Sequence, residues 1–248
     1  MSGPVGFATG GNAEHMDNRI YGADVLTASE FRRVPRHLGL IPDGNRRWAR
    51  ERGLHPGLGY QAGVEKGLEM LEHCRTLGVE EVSVYGFTTD NTKRPMDQRI
   101  AFSRACVDFA LAVISRGVSL RVVGDASSPM FPQELEPLCR AAQGDGPLKV
   151  NMLVNYGWQW DMQTALQAAA NGSGHSKRQI TELLASSDVS RIDLIMRWGG
   201  CRRLSGFLPI QSVYADFFVV DAYWPDYEPQ HMRQALQWYS SQEITLGG

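Results

Sequence analysis

Residues 43–54 read DGNRRWARERGL and set a carboxylate, Asp43, just ahead of Arg46, Arg47, Arg50 and Arg52. The segment follows the short apolar run Leu38–Ile41, which reads as a strand, so the cluster falls where strand ends and helix starts collect ligands in an open parallel sheet. Asn45 is expected to cap the following helix, leaving Arg46 and Arg47 in its first turn, where free N–H groups attract an anion. A carboxylate beside a phosphate site repels the ligand unless a divalent cation bridges the two, and Mg²⁺ is held by one or two carboxylates plus phosphate oxygens. Taken alone, a solvated charged helix start and an ordinary turn aspartate would account for the same residues. A second segment has similar chemistry. The run Asp193–Met196 reads as a strand and leads into RWGGCRRLS, residues 197–205. Gly199 and Gly200 would let backbone approach a ligand, while Arg197 and Arg203 could grip diphosphate oxygens. Between these segments lies an apolar helix over 97–116, carrying Ile100, Phe102, Cys106, Phe109, Val113 and Ile114. Two arginine-rich strand ends and such a helix describe a ligand with a diphosphate head and a hydrocarbon tail, although the helix by itself reads first as ordinary core.

The elements that must position these residues alternate along the chain. Strands are expected at 38–41, 81–86, 119–123, 149–154, 193–196 and 217–220. Helices are expected at 23–33, 60–77, 97–116, 132–142, 161–170 and 230–240. This order predicts an α/β fold with a mainly parallel sheet covered by helices on both faces. Residues 1–20, rich in glycine, are expected to be a disordered leader, and 21–248 a single domain, with Gly172–His175 as a surface turn. A net charge of -2 argues against a general nucleic-acid binder, so any cationic site must be local. The four cysteines (Cys74, Cys106, Cys139 and Cys201) form no CxxC pair, which points away from zinc and disulfides and toward a cytoplasmic location. No run approaches the roughly 20 apolar residues of a membrane span, so membrane contact is expected to be peripheral at most.

Several long segments together resemble the cis-prenyltransferase family of the undecaprenyl diphosphate synthase type. They are HLGLIPDGNRRWARERGL, YGFTTDNTKRP, NYGWQWD, DLIMRWGGCRRLSGF and VYADFFVVDAYWPDY, in that order from His37. The resemblance implies a six-stranded sheet with surrounding helices, a hydrophobic tunnel for the prenyl tail, and a homodimer. It implies Mg²⁺ as cofactor, held by Asp43 and Asp216, and catalytic roles for Asp43, Asn45 and Asn91. Substrate contacts carried over by position are Gly44, Arg46, Arg47, Trp48, Tyr60, Thr88, Arg94, Arg197, Arg203 and Ser205, with the last three on the second diphosphate.

The departures from the family pattern are as informative. Pro56 and Tyr60 stand where an Arg and a His are usual, Thr92 replaces an aromatic, and Cys201 an acidic residue. Trp198 replaces a small hydroxyl residue, Trp158-Gln159 a Gly-Arg pair, and Ile244 and Thr245 arginines. These changes gather around the substrate diphosphates. The implied activity is a head-to-middle, lavandulyl-type condensation of dimethylallyl diphosphate with a second allylic diphosphate, geranyl diphosphate being the expected acceptor. The alternatives are regular head-to-tail condensation with isopentenyl diphosphate, or a non-catalytic partner subunit.

Overall fold

The protein is described by a computed structural model for residues 26–171 and 179–243. Six strands, β1 (His37–Ile41), β2 (Glu81–Tyr85), β3 (Ser119–Val123), β4 (Lys149–Leu153), β5 (Leu194–Arg197) and β6 (Asp216–Val219), form one sheet in the order β3-β4-β2-β1-β5-β6. Every pairing is parallel. Helices α1 (Asn45–Glu51), α2 (Pro56–Thr76), α3 (Met96–Ile114), α4 (Glu136–Arg140), α5 (Trp158–Asn171) and α6 (Pro229–Ser241) make the connections and the cover.

A parallel sheet covered on both faces needs strands that are apolar on both sides. β1, HLGLI, is buried at all five positions. Its Leu38 and Leu40 join the larger core with Met70, Cys74, Phe109, Val113 and Leu236. Ile41 faces the opposite way and packs in a smaller core with Tyr156, Ile195 and Phe207. Gly39 lies between them, and a Cβ there would come within 2.7 Å of the Phe207 ring, so the close approach of that aromatic requires glycine.

The expected helix over 23–33 is only a single 3₁₀ turn, Ala28–Glu30, within the described residues; Thr27 and Glu30 close a capping box on themselves and the chain turns extended at Phe31. The helix expected at 132–142 divides into a 3₁₀ turn and the five-residue α4, because Pro137 has no N–H to continue the first turn and instead opens a new helix. α2 starts at Pro56, earlier than the periodicity suggests; proline at the first turn and His55, whose ring accepts from the Gly57 N–H at 3.1 Å, start the helix. The four cysteines are all free thiols. The leader at 1–20, the turn Gly172–His175, and Ile244 and Thr245 lie outside the described residues.

Candidate active site

β1 is flanked by β2 on one side and β5 on the other, so the loops leaving β1 and β5 diverge at a switch point of the sheet. A polar cavity of about 550 Å³ opens there. Arg46, Arg47, Arg50, Arg94, Arg197 and Arg203 line it against two carboxylates, Asp43 and Asp90. Such an excess of guanidinium suits an anion carrying several charges. An apolar cavity of about 70 Å³ adjoins it, lined among others by Val64, Gly67, Ala105, Cys106, Phe109 and Met152. Asn45, Tyr60 and Phe102 stand in the walls of both.

Asp43 is held by its neighbours on every side. Its backbone carbonyl accepts from Trp224 N–H at 3.0 Å, and its carboxylate lies between Arg197, 2.9 Å from Oδ2, and Arg47, 3.3 Å from Oδ1. The Arg197 side chain is only 4% exposed. Its Nη1 donates to Ser205 Oγ at 2.9 Å and also to the Arg203 carbonyl, while its buried Nε has no partner. Arg197 thus ties the β1 loop to the 203–205 turn. Gly199, at φ +80°, has a specific use: a Cβ there would lie 2.4 Å from Arg47 Nη2, and Arg47 Nη1 instead donates to the Gly199 carbonyl at 3.0 Å. The glycine thereby admits an arginine, where the sequence suggested close approach of a ligand.

Asn45 does not cap α1. Gly44, at φ +108°, takes that position, since a Cβ would meet the Tyr223 ring at 2.6 Å. Asn45 is the first helical residue and turns its Nδ2 back to the Pro42 carbonyl at 3.0 Å, leaving a buried Oδ1 without a partner between the two cavities. That oxygen is 2.4 Å from where a Cβ of Gly63 would be. Tyr60 stacks on Phe102 at 4.6 Å between centroids, and its hydroxyl accepts from Arg94 Nη1 at 3.0 Å. Burial pushes the Tyr60 hydroxyl up and lowers the Arg94 guanidinium, each partly opposed by the other's presence. Asn91 Oδ1 accepts from the Thr88 N–H at 3.2 Å and so fixes the 3₁₀ turn Thr89–Lys93 that carries both to the cavity wall. Arg46 is braced by Gln98 at 3.1 Å. Within the apolar cavity, Cys106 is a buried thiol pushed up to about 12 by desolvation.

Two expected site residues are not brought to the cavity. Trp48 donates its indole N–H to Asp226 at 2.6 Å and carries Arg52 on its ring, so it anchors α1 to the Trp224–Asp226 turn. Asp216 opens β6 and pairs with Arg33 at 3.3 Å. In the register Val219 is level with Arg197, which puts Asp216 about 10 Å back along the strand, at the end of the sheet away from Asp43. Trp198, a departure in sequence, is fully buried against Trp224 and Tyr227 and shapes the core beneath the glycine turn. Conversely, the sequence reading gave no site role to Asp90 or Tyr85, and it named Arg50 and Phe102 only as members of the arginine cluster and the apolar helix. Arg50 was accessible to it, since positions 46, 47 and 50 share one face of a helix. Tyr85 was not: its hydroxyl donates across the cavity to the Ser205 carbonyl at 2.9 Å, a contact that only the sheet order creates.

No group of three or more metal-ligating side chains occurs among the described residues. The donor set fits Mg²⁺ in one form, with Asp43 as the protein carboxylate and the remaining oxygens supplied by diphosphate and water. Asp216 does not fit this site.

A parallel α/β sheet with a guanidinium-lined cavity opening onto an apolar pocket at its switch point defines a class, that of enzymes acting on an amphiphilic diphosphate. The chain matches the family model described as putative undecaprenyl diphosphate synthase over residues 41–247, and it belongs to that cis-prenyltransferase family. It is 34% identical over 230 residues to the (2E,6E)-farnesyl-diphosphate-specific ditrans,polycis-undecaprenyl-diphosphate synthase of Pseudomonas putida, covering 86% of this chain and 91% of that one. It is likewise 34% identical over 234 residues to an isoprenyl transferase of Thermus thermophilus, covering 86% of this chain and 89% of the other. In fold it is similar to lavandulyl diphosphate synthase from Lavandula x intermedia, solved in complex with dimethylallyl diphosphate. The TM-score is 0.75 at 22% identity, over 86% of this chain and 98% of that one. The protein is a prenyl diphosphate synthase of the cis-prenyltransferase type.

Proposed function

We propose that the enzyme joins dimethylallyl diphosphate to a second allylic diphosphate, geranyl diphosphate, in a head-to-middle condensation. The observation that carries this reading is the placement of Tyr60. This residue departs from the family pattern, and its ring closes the seam between the polar and apolar cavities while its hydroxyl is taken by Arg94. An apolar surface therefore faces the reacting carbons at a position where the resemblance implies a diphosphate ligand. The apolar cavity is also small. About 70 Å³ is less than the order of 150 Å³ that houses a benzene, so a short tail enters with side-chain adjustment and a long polyprenyl chain finds no room.

In the proposed reaction the allylic C1–O bond of geranyl diphosphate breaks and its diphosphate departs toward the arginines. The C2=C3 double bond of dimethylallyl diphosphate attacks through C2, and the cation left on C3 loses a methyl proton. Arg46, Arg47 and Arg94 hold the departing diphosphate, and Arg197, Arg203 and Ser205 hold the one retained. Mg²⁺, held by Asp43 with diphosphate oxygens, would neutralise charge developing on the leaving group. Among the described residues the polar cavity wall holds two carboxylates, Asp43, assigned here to Mg²⁺, and Asp90, paired with Lys93 at 3.1 Å, and no histidine, glutamate or lysine, so the departing diphosphate is the proton acceptor in this reading. In this reading the protein is a homodimer, as the family resemblance implies. No helix among the described residues is long and apolar enough to cross a membrane.

Regular head-to-tail condensation with isopentenyl diphosphate is the second reading, favoured by the names of the curated relatives. Mass analysis separates the two. Dimethylallyl and geranyl diphosphates with Mg²⁺ and no isopentenyl diphosphate should yield a fifteen-carbon diphosphate. A ladder of products formed only when isopentenyl diphosphate is supplied would establish the regular reaction, and no product from either mixture would favour a non-catalytic subunit.

A further inference from the structure

The turn that carries Arg203 and Ser205 is built from an unfavourable backbone. Ser205, Gly206 and Leu208 all have positive φ, +53°, +79° and +36°, and a non-glycine residue held in that region costs on the order of 1 kcal/mol or more. From the cavity side the turn is held by Arg197 on Ser205 Oγ at 2.9 Å and by the Tyr85 hydroxyl on the Ser205 carbonyl at 2.9 Å. On its other side the turn meets Trp158. The indole of Trp158 occupies the space a side chain at 206 would need, with Cδ1 2.7 Å from the position of a Gly206 Cβ. Trp158 is itself 46% exposed, so burial of the whole ring does not account for its position.

The base beneath Trp158 is rigid. Gly157 is pressed against Thr89, whose side-chain oxygen would lie 2.7 Å from a Cβ at 157, and Thr89 N–H donates to the Tyr156 carbonyl at 3.1 Å. Three residues on, Asp161 is 3% exposed and accepts from the Tyr156 hydroxyl at 3.0 Å and from Ser186 Oγ at 2.5 Å. A large ring on such a base, fitted to a residue without a side chain, limits how far the turn can relax outward.

We propose that Trp158 is a positioning residue: by seating on Gly206 it sets the height of the 203–206 turn, and so the placement of the diphosphate gripped by Arg203 and Ser205. This rests on the reading of that cavity as a site for two diphosphates. The chain gains a specificity determinant in a residue that does not line the cavity.

The test is calorimetric titration of the full chain with inorganic diphosphate and Mg²⁺, which needs no knowledge of the natural pair. Wild type should show two sites. Trp158→Ala should weaken one of them about tenfold, the equivalent of one diphosphate contact, and leave the other unchanged. Trp158→Phe should restore most of the loss. Gly206→Ala should weaken the same site, and the Trp158→Ala/Gly206→Ala pair should lose less than the sum of the two single losses, because the collision between ring and methyl is absent. Thermal melts of all four proteins identify any variant that fails to fold. In that case steady-state kinetics of Trp158→Leu carries the test, with a raised KM expected for one diphosphate substrate only and an unchanged KM for both overturning the proposal. Equal binding by wild type and Trp158→Ala, or strictly additive losses, would overturn the proposal. A wild-type protein that binds no diphosphate would instead overturn the reading of the cavity itself.

Discussion

Arg197 does two jobs that can be separated by substitution. Its guanidinium holds Asp43 at 2.9 Å, Ser205 Oγ at 2.9 Å and the Arg203 carbonyl, and it has almost no contact with bulk solvent. In Arg197→Ala, Asp43 keeps only Arg47 at 3.3 Å, and the turn loses its main tie to β1. Removing one partner of a buried ion pair costs about 3–5 kcal/mol. Asp43 is one-third exposed, so water recovers part of that cost and about 2–3 kcal/mol remains. At roughly 2–4 °C per kcal/mol for a chain of this size, the melting temperature should fall by about 4–12 °C. The second effect is on binding. A charge-assisted bond to diphosphate contributes about 1.5–3 kcal/mol, so product formation below both melting temperatures should drop by at least about tenfold. Arg197→Lys separates the two, because an ammonium keeps the charge but cannot reach both Asp43 and Ser205. It should recover stability more fully than activity. Differential scanning fluorimetry with and without inorganic diphosphate, followed by product assay, measures both. An Arg197→Ala protein that melts with wild type and turns over within about twofold of it would refute this account of the site.

Other outcomes follow from the same geometry. Asp43→Asn should lower the melting temperature, because it leaves the buried Arg197 guanidinium without its counter-charge, and should lose most activity. Mn²⁺ used as a spin probe should bind wild type well only when diphosphate has drawn Arg47 and Arg197 from the carboxylate. Binding of Mn²⁺ to the free protein as tight as to the diphosphate complex would contradict that exchange. Gly67→Ala places a methyl 2.7 Å from the Phe109 ring at the wall of the apolar cavity. It should raise KM for geranyl diphosphate and leave that for dimethylallyl diphosphate little changed, as steady-state kinetics with each substrate varied in turn will show. Buried His37 bonds Ser83 Oγ at 2.8 Å, and its imidazole pKa is lowered by burial despite Glu81 nearby. The unfolded chain therefore takes up that proton first, and the stability His37 contributes is complete above about pH 6.5 and lost as pH falls below it. Melting curves across that range should flatten in His37→Gln, and identical pH profiles would exclude His37 as their source.

How much of this was legible in the sequence depends on the distance over which each feature is determined. The alternation of apolar runs and helical periods is local, so all six strands and the parallel sheet were readable from it. The arginine-rich strand ends were readable for the same reason, and Asp43, Arg47, Arg197, Arg203 and Ser205 do converge on one cavity. What failed was set by tertiary packing. Asn45 is a better cap than Gly44 by propensity, yet the Tyr223 ring against residue 44 admits only glycine at that corner. Trp48 sits in the same signature as Arg47, but its position on the far side of α1 takes it to Asp226. Asp216 belongs to a matching segment, and only the strand register shows that it begins β6 at the end of the sheet away from Asp43. The contact of Trp158 with Gly206 joins positions 48 residues apart, and no local pattern encodes it.

The central claim is the carbon at which the two substrates join. Incubating the enzyme with geranyl diphosphate, Mg²⁺ and dimethylallyl diphosphate carrying ¹³C at C2 and then recording a carbon spectrum of the product reads it directly. Head-to-middle coupling converts the labelled carbon from an alkene carbon to a saturated one bonded to C1 of the geranyl unit, so its resonance should move from the olefinic to the aliphatic region and show the new C–C bond. A label that stays olefinic in every product, with chain growth appearing only when isopentenyl diphosphate is added, would contradict the account.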